Sequence, residues 1–416
     1  MIHLLWILGA LLGLPLFAVL SGLALTAFHA EGISSTAVII ELYRLASNPT
    51  ILAIPLFTFA GVLLSAGDSP RRLVNLFRAL VGWMPGGIAI VTLLVTSFFT
   101  AFTGASGVTI IALGGLLLTI LQQEGYQEKF NLGLLTTTGS LGLLFPPSLP
   151  LILYGLVAGV SIDSLFRAGI TPGILLIVIL AAYSYFKAGR QKVKRTPFDG
   201  RAALRALKQA AWELPLPFIV VVGIYGGWVT ATEAATITVV YVLLVELVIL
   251  REIGWRKLLR VIEESMTLVG AILVILGGAL GLTSYLVDAE VPMRLLEWLE
   301  QFIGSKILFL LLLNVFLLAV GALMDIFSAI VVIVPLLLPV AAAFGVEPIH
   351  LGIIFLVNLE IGYSTPPVGL NLFLASFRFK QPIWKLYGAA LPFILLMLLA
   401  LALVTWWPAL SLWTVR

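Results

Sequence analysis

The segments Gly139-Ser140-Leu141-Gly142-Leu143-Leu144-Phe145-Pro146-Pro147 and Leu359-Glu360-Ile361-Gly362-Tyr363-Ser364-Thr365-Pro366-Pro367 each place a double proline after a glycine-containing run inside an apolar stretch, 220 residues apart. A proline within a helix removes one backbone donor and clashes with the preceding turn, so each stretch reads as a helix broken at membrane depth. Interrupted segments at corresponding positions of two halves point to a binding site of the kind secondary transporters build between repeats.

Composition fixes the environment. Of 416 residues, 61% are hydrophobic and 11% charged, and mean hydropathy is +1.14, a balance that cannot make a soluble surface. Apolar runs of about 17–25 residues recur, the length of spanning helices; spanning strands would leave short alternating segments. The most polar stretch, 187–208, is too short for a domain of its own, so a solute-capturing or nucleotide-binding domain must come from another chain. No G-x-x-x-x-G-K-[ST] loop appears, so ATP-driven transport is unsupported, and the absence of cysteine removes disulfides, thiolate metal sites and cysteine nucleophiles. The net charge of +4 resides in short loops and reads as a topology signal rather than nucleic-acid binding. The run 2–27 has no basic leader and the length of a retained span.

Spans are predicted near 3–28, 50–66, 130–158, 164–188, 212–230, 232–250, 266–288, 351–376 and 384–410. Two intervals do not fit single spans. From Met84 to Gln122 an apolar run turns through Thr103-Gly-Ala-Ser-Gly107, and from Ser305 to Phe344 another turns through Gly321-Ala-Leu-Met-Asp325. With arms of about 22 Å against a core of about 30 Å, both read as re-entrant hairpins.

Loop charge supports this layout. Lys187, Arg190, Lys192, Lys194, Arg195, Arg201, Arg205 and Lys208 against Asp199 place the 187–208 loop in the cytoplasm. The loops with Arg71, Arg72 and Arg78, with Arg251, Arg256, Lys257 and Arg260, and with Arg378, Lys380 and Lys385 then fall on the same side. Glu31 and Glu41, Asp163, and Asp288, Glu290, Glu297 and Glu300 fall outside. The N-terminus is cytoplasmic and the C-terminus periplasmic. Ser69-Pro-Arg-Arg-Leu73 aligns with Val291-Pro-Met-Arg-Leu295 on opposite sides, as inverted-topology repeats require. Residues 1–211 hold the first repeat (hairpin 84–122, broken helix 130–158) and the basic loop; 212–416 hold a linking span at 212–230 and the second repeat (hairpin 305–344, broken helix 351–376). The expected fold is an all-α polytopic membrane protein.

The run Gly139–Gly155 and the run Leu359-Glu-Ile-Gly-Tyr-Ser-Thr-Pro-Pro-Val-Gly-Leu-Asn-Leu-Phe373 resemble the hallmark segments of the large membrane subunit of TRAP (tripartite ATP-independent periplasmic) transporters, and the similarity runs through nearly the whole chain. The resemblance implies an inner-membrane, Na⁺-driven importer of carboxylate-bearing solutes. In that family a periplasmic substrate-binding protein hands solute to a small and a large membrane subunit, and an elevator-type domain of the large subunit carries it across. It implies no enzyme activity. The chain lacks the extra four-helix segment of fused forms, so a separate small subunit is expected.

A helix broken at membrane depth exposes carbonyls that replace the hydration shell of a small cation, and a half-helix N-terminus that favours an anion. The first hairpin tip, Gly104 and Ser106, is expected to face Gly139, Ser140 and Gly142 as one Na⁺ site. Asp325 is expected to face Gly362, Ser364 and Thr365 as a second, giving at least two coupling ions. Ser106, Pro147 and Pro367 are the candidate solute contacts. One departure from the family pattern is Ala105, which stands where adjacent serines are usual. Glycine and serine at helix contacts also serve close packing, Asp325 can instead cap the returning arm, and Glu360 can instead pair with a polar neighbour. Glu246 reads as snorkelling from a span end. His3, His29 and His350 lie near span ends without metal-ligand spacing, and Trp406 and Trp407 read as an interfacial belt. The amphipathic segments around Arg71–Arg78 and Arg294–Trp298 read as helices lying on lipid headgroups and linking a fixed scaffold to a moving part. The competing reading is a stand-alone divalent-anion/Na⁺ symporter, which uses no binding protein.

Overall fold

The computed structural model describes residues 2–191 and 198–415. Lys192, Lys194 and Arg195 of the basic loop, and the side chains of His3 and Arg190, lie outside the described residues. The described chain is helical, with no strand.

In the first half α1 (Ile2–Leu11), α2 (Leu16–Ala30), α3 (Thr36–Ala46) and α4 (Ala53–Ala66) precede α5 (Ser69–Val81), whose buried Leu73, Val74 and Leu76 and exposed Arg71 make it an amphipathic connector. The hairpin follows as α6 (Gly87–Thr103) and α7 (Ser106–Gln123), turned by Gly104 in the left-handed conformation (φ +65°). Next α8 (Glu128–Thr137) tightens into a 3₁₀ stretch, Thr138–Leu144, and stops before Pro146; α9 (Leu149–Ala158) leaves at a 47° bend, and α10 (Ile162–Gln191) returns. The second half comprises α11 (Gly200–Gln209), α12 (Pro215–Tyr225), α13 (Ala231–Leu243, ending in a π-helical turn, Leu244–Ile249), α14 (Trp255–Asp288) and α15 (Val291–Glu300). The hairpin α16 (Lys306–Leu323) and α17 (Ile326–Ala343) follows, then the pair α18 (Pro348–Gly362) and α19 (Leu370–Phe379), and finally α20 (Ile383–Trp406) and α21 (Ala409–Leu412).

These helices pack as two sets that meet where α4 lies on α6 and α14 on α17. α14 lies against α2, α3 and α4, and α4 against α13. The hairpins and breaks form the other group: α6 packs on the 3₁₀ stretch and α16 on α18, while the returning arm of each hairpin packs on the post-break helix of the other half, α7 on α19 and α17 on α9.

Eight described helices, or nine with the bent pair counted as one span, are long and apolar enough to cross a membrane. Spans at 50–66, 164–188, 232–250, 266–288 and 384–410 are among them, with α14 extending its span to 34 residues. Three expectations need correction. The run 3–28 is not one helix: Gly13 (φ +95°) and Pro15 break it, and the Trp6 ring lies against Gly22, so α1 folds back on α2. The linking span at 212–230 contains only the 11 residues of α12, about 16 Å, before Gly226 and Gly227 turn the chain. The hairpin arms are longer than expected, because α16 continues to Leu323 and α17 restarts at Ile326; arms of 18 residues reach about 27 Å.

Long-range contacts join loops that charge bias assigns to one side. Arg72 pairs with Glu213 and Glu252, Arg78 with Glu124, and Lys385 with Glu128. At the opposite ends Tyr285 donates to Glu31 (3.0 Å) and Thr232 to the Pro49 carbonyl (3.2 Å).

Candidate functional site

The first tip meets the first break through backbone. Thr100, fully buried on α6, donates to the Gly139 carbonyl (2.7 Å) and shares a hydrogen bond with Thr109 of α7 (2.8 Å). A Cβ on Gly139 would lie 2.6 Å from Ile110 and 3.4 Å from the Ser106 carbonyl; one on Gly142 would lie 2.2 Å from the Ser97 carbonyl. Glycine is therefore what lets the 3₁₀ stretch lie on α6 and α7, as small residues do wherever helices touch within membranes. Gly139 lies against Ile110 and Ser106, Gly142 against Ser97 and Ala101, and Gly104 against Leu149 beyond the break. Ser140 is not part of that contact. Its hydroxyl turns to the other half, 3.4 Å from the Glu360 carbonyl and 3.5 Å from Asn371 Nδ2, so the two breaks touch each other.

The second tip meets the second break in the same manner. A Cβ on Gly362 would lie 2.6 Å from Gly321 Cα, the Tyr363 hydroxyl accepts from the Ile326 N–H, and Gly369 N donates to the Ala322 carbonyl (2.9 Å). Asp325 is the N-cap of α17: its Oδ1 accepts from Phe327 N and Ser328 N, both at 3.0 Å, and its Oδ2 from the Ser328 hydroxyl. Thr365 Oγ1 donates to the Ile361 carbonyl (2.8 Å). The Pro146–Pro147 and Pro366–Pro367 bonds are both cis.

Buried oxygens without partners concentrate here. Thr138 Oγ1, Ser364 Oγ, Asn371 Oδ1 and both carboxyl oxygens of Glu360 have no hydrogen-bond partner, and all four residues are fully buried. An unpaired buried polar group costs about 1–3 kcal/mol, so these oxygens are open to a further partner. Sequence reasoning passed over Thr138 and Asn371, although a polar residue within an apolar run, as in Val368-Gly-Leu-Asn-Leu-Phe373, is itself a signal.

The two sites differ in access. Around the first, Ser106 and Pro147 are buried, and Phe145 and Pro146 line an apolar cavity of about 230 Å³ with Phe98, Phe102 and Pro217. Around the second, Asp325, Pro366, Pro367 and Val368 are exposed, directly before α19, whose N-terminus has no side-chain cap. Backbone carbonyls already hold the amides of Asn371 (to Tyr363, 3.0 Å) and Leu372 (to Gly369, 2.8 Å) at that start. Among the described residues no His, Cys, Asp and Glu cluster has the geometry of a metal centre.

Residues 1–410 match the family model described as the DctM component of the tripartite ATP-independent periplasmic transporter. The chain is 36% identical over 398 residues to the C4-dicarboxylate TRAP transporter large permease protein DctM of Pseudomonas aeruginosa, covering 94% of this chain and 92% of that one. It is 30% identical over 366 residues to the sialic acid TRAP transporter large permease protein SiaM of Vibrio cholerae, covering 88% and 86%. It is 37% identical over 361 residues to the isethionate TRAP transporter permease protein DctMQ of Oleidesulfovibrio alaskensis, covering 86% of this chain and 57% of that longer one. The crystal structure of the Alcanivorax borkumensis YdaH transporter has the same fold, with a TM-score of 0.66 over 98% of both chains at 18% identity. Two broken helices with their motifs in order, a matching fold and relatives aligned nearly end to end agree: this multi-span membrane chain belongs to the DctM family, the large permease component of tripartite ATP-independent periplasmic transporters.

Proposed function

We propose that this chain is the Na⁺-coupled membrane carrier of a carboxylate-bearing solute. A periplasmic binding protein delivers the solute, and a separate small membrane subunit completes the carrier in the inner membrane. The observation that carries the reading is the pairing of each hairpin tip with a helix break, among buried oxygens that lack donors. One Na⁺ site comprises Gly104, Ser106, Gly139 and Gly142, where carbonyls dominate. The other comprises Gly362, Ser364 and Thr365, with Asp325 fixing the tip and adding its charge. Ser140, Thr138, Glu360 and Asn371 join the two. The solute carboxylate sits beside Pro367 at the start of α19, the accessible break.

The exchange of α7 and α17 onto the post-break helices of opposite halves supports inverted repeats. The two hairpins and breaks then move as one body against the group built on α14, an elevator in which α5 and α15 are the arms. The hairpins are re-entrant in this reading, on the strength of their polar tips rather than their length. Asp199 on the cytoplasmic side and Asp288 on the periplasmic side are exposed, and the chain has no cysteine, so single cysteines report topology directly. Asp288→Cys is expected to react with an impermeant thiol reagent in intact cells and Asp199→Cys to resist; the opposite pattern defeats the assigned orientation.

Na⁺-titrated uptake in proteoliposomes tests the ion sites. Ser364→Ala removes an oxygen that has no other partner, and is expected to raise the half-saturating Na⁺ concentration about 5–150-fold, the equivalent of about 1–3 kcal/mol. Asp325→Asn keeps the cap acceptor and removes a solvent-screened charge, for an expected rise of about 2–5-fold. Unchanged Na⁺ dependence in Ser364→Ala removes the second site from the proposal.

A further inference from the structure

Away from the breaks, a second buried polar cluster joins α5 to the start of α12, the end of α13 and the loop before α14. Arg72 Nε donates to Glu213 Oε1 (2.5 Å), its Nη1 to Glu252 Oε1, and its Nη2 to Ser69 Oγ (3.0 Å). Glu246, expected to snorkel, is instead fully buried: the π-helical turn directs it inward, and a Cβ on Gly67 would meet its Oε2 at 2.5 Å. Glu213 is 1% exposed. The cluster thus gathers three carboxyls around one guanidinium, and these are the titratable groups that face Glu246 from every element packed on it.

The hydrogen bonds do not close if all three carboxyls are ionised. Ser69 Oγ lies 2.9 Å from Glu213 Oε1 and 2.9 Å from Glu246 Oε1, yet a hydroxyl has one proton to donate. Glu213 Oε1 also accepts from Arg72 Nε, so it is an anionic acceptor for Ser69. The second short approach needs a proton on Glu246. The carboxyl of Glu252 belongs to the same cluster through Arg72. Glu252 is the ionised member: burial raises it, but the Asp68 N–H (2.7 Å) and Arg72 more than offset that and hold it below the usual carboxylate range. Glu213 Oε2 and Glu246 Oε2 face no donor, and the carboxyls do not converge as metal ligands.

We propose that this cluster is a proton-binding site, in which protonated Glu246 donates to Ser69 and fastens the N-terminus of α5 to α13. Ser69 then accepts from Glu246 and Arg72 and donates to Glu213, which satisfies the three short contacts at its hydroxyl. Loss of the proton to water beside the partly exposed Glu252 leaves two anions competing for one hydroxyl, and the fastening weakens. Because α5 runs into the first hairpin, the proton sets how firmly that hairpin is tied to the helices around α14. The site goes beyond the Na⁺ reading and does not depend on it.

Infrared difference spectra of the purified chain between pH 6 and pH 9 test it without any transport assay. The wild type and Glu360→Gln, which removes the buried carboxyl at the breaks, are both expected to lose a protonated-carboxyl C=O band as pH rises. In Glu246→Gln, whose amide replaces the donor, that titrating band is expected to disappear, and the melting temperature is expected to stay level from pH 6 to pH 9, where that of the wild type is expected to fall. A Glu360→Gln spectrum without a titrating carboxyl band overturns the proposal, even if Glu246→Gln does not fold. So does a Glu246→Gln variant that keeps the wild-type band and the wild-type fall in melting temperature.

Discussion

Gly362→Leu is expected to abolish uptake. The Cβ alone would lie 2.6 Å from the Gly321 backbone, so α16 and α18 must separate at the point where the second tip meets the second break. Overpacking of this kind costs about 1–3 kcal/mol in stability. Its larger consequence is geometric, since the amide of Gly369 and the hydroxyl of Tyr363 would lose their partners on the hairpin. The matched control is Gly388→Ala in α20, where nothing lies within 4 Å of the added methyl. Uptake by the control is expected within twofold of wild type, because the added methyl meets nothing and alanine is favoured over glycine in a helix by about 0.5–1 kcal/mol. Melting curves of both variants in detergent separate unfolding from a loss confined to the site. Wild-type uptake by Gly362→Leu would mean that this contact has no part in transport.

The chain reconstituted alone is expected to give no uptake above empty liposomes. Nothing in its sequence supplies a soluble domain to capture dilute solute, and its described surface carries many exposed large apolar side chains, such as Phe218, Val240 and Val274, that lipid or a membrane partner must cover. Adding the small subunit, the cognate binding protein and an inward Na⁺ gradient is expected to restore transport. Omission of either partner should return it to background. Robust uptake by the chain alone would favour the stand-alone symporter.

Much of the architecture was legible because proline and glycine act locally. The stop before Pro146, the turn at Gly104 and the reach of α17 back to Asp325 each follow from a few adjacent residues. The amphipathic stripe of α5 was legible for the same reason. Hydropathy windows, by contrast, average over breaks: they merged α1 with α2 across Gly13–Pro15 and extended α12 across Gly226–Gly227. Hairpin arms were read short because polar residues near the tips were assigned to turns. In fact Thr103 stays in α6, Ser106 and Gly107 start α7, Gly321, Ala322 and Leu323 stay in α16, and Asp325 caps the next helix at once.

Partners distant in sequence were not legible at all. Ser140 looked like a neighbour of Ser106, yet it touches Glu360 and Asn371, 220 and 231 residues away. Glu246 sat at the end of an apolar run and read as lipid-facing, because nothing local revealed that Ser69 and Arg72 would close over it.

The account rests on Na⁺ bound where the hairpin tips meet the breaks, and the most direct measurement is solute uptake into proteoliposomes holding the full tripartite system under matched Na⁺, K⁺ and proton gradients. Uptake driven by Na⁺ alone, rising with Na⁺ concentration with a Hill coefficient above 1, is the predicted result. Equal uptake under K⁺ or proton gradients in Na⁺-free buffer would contradict it.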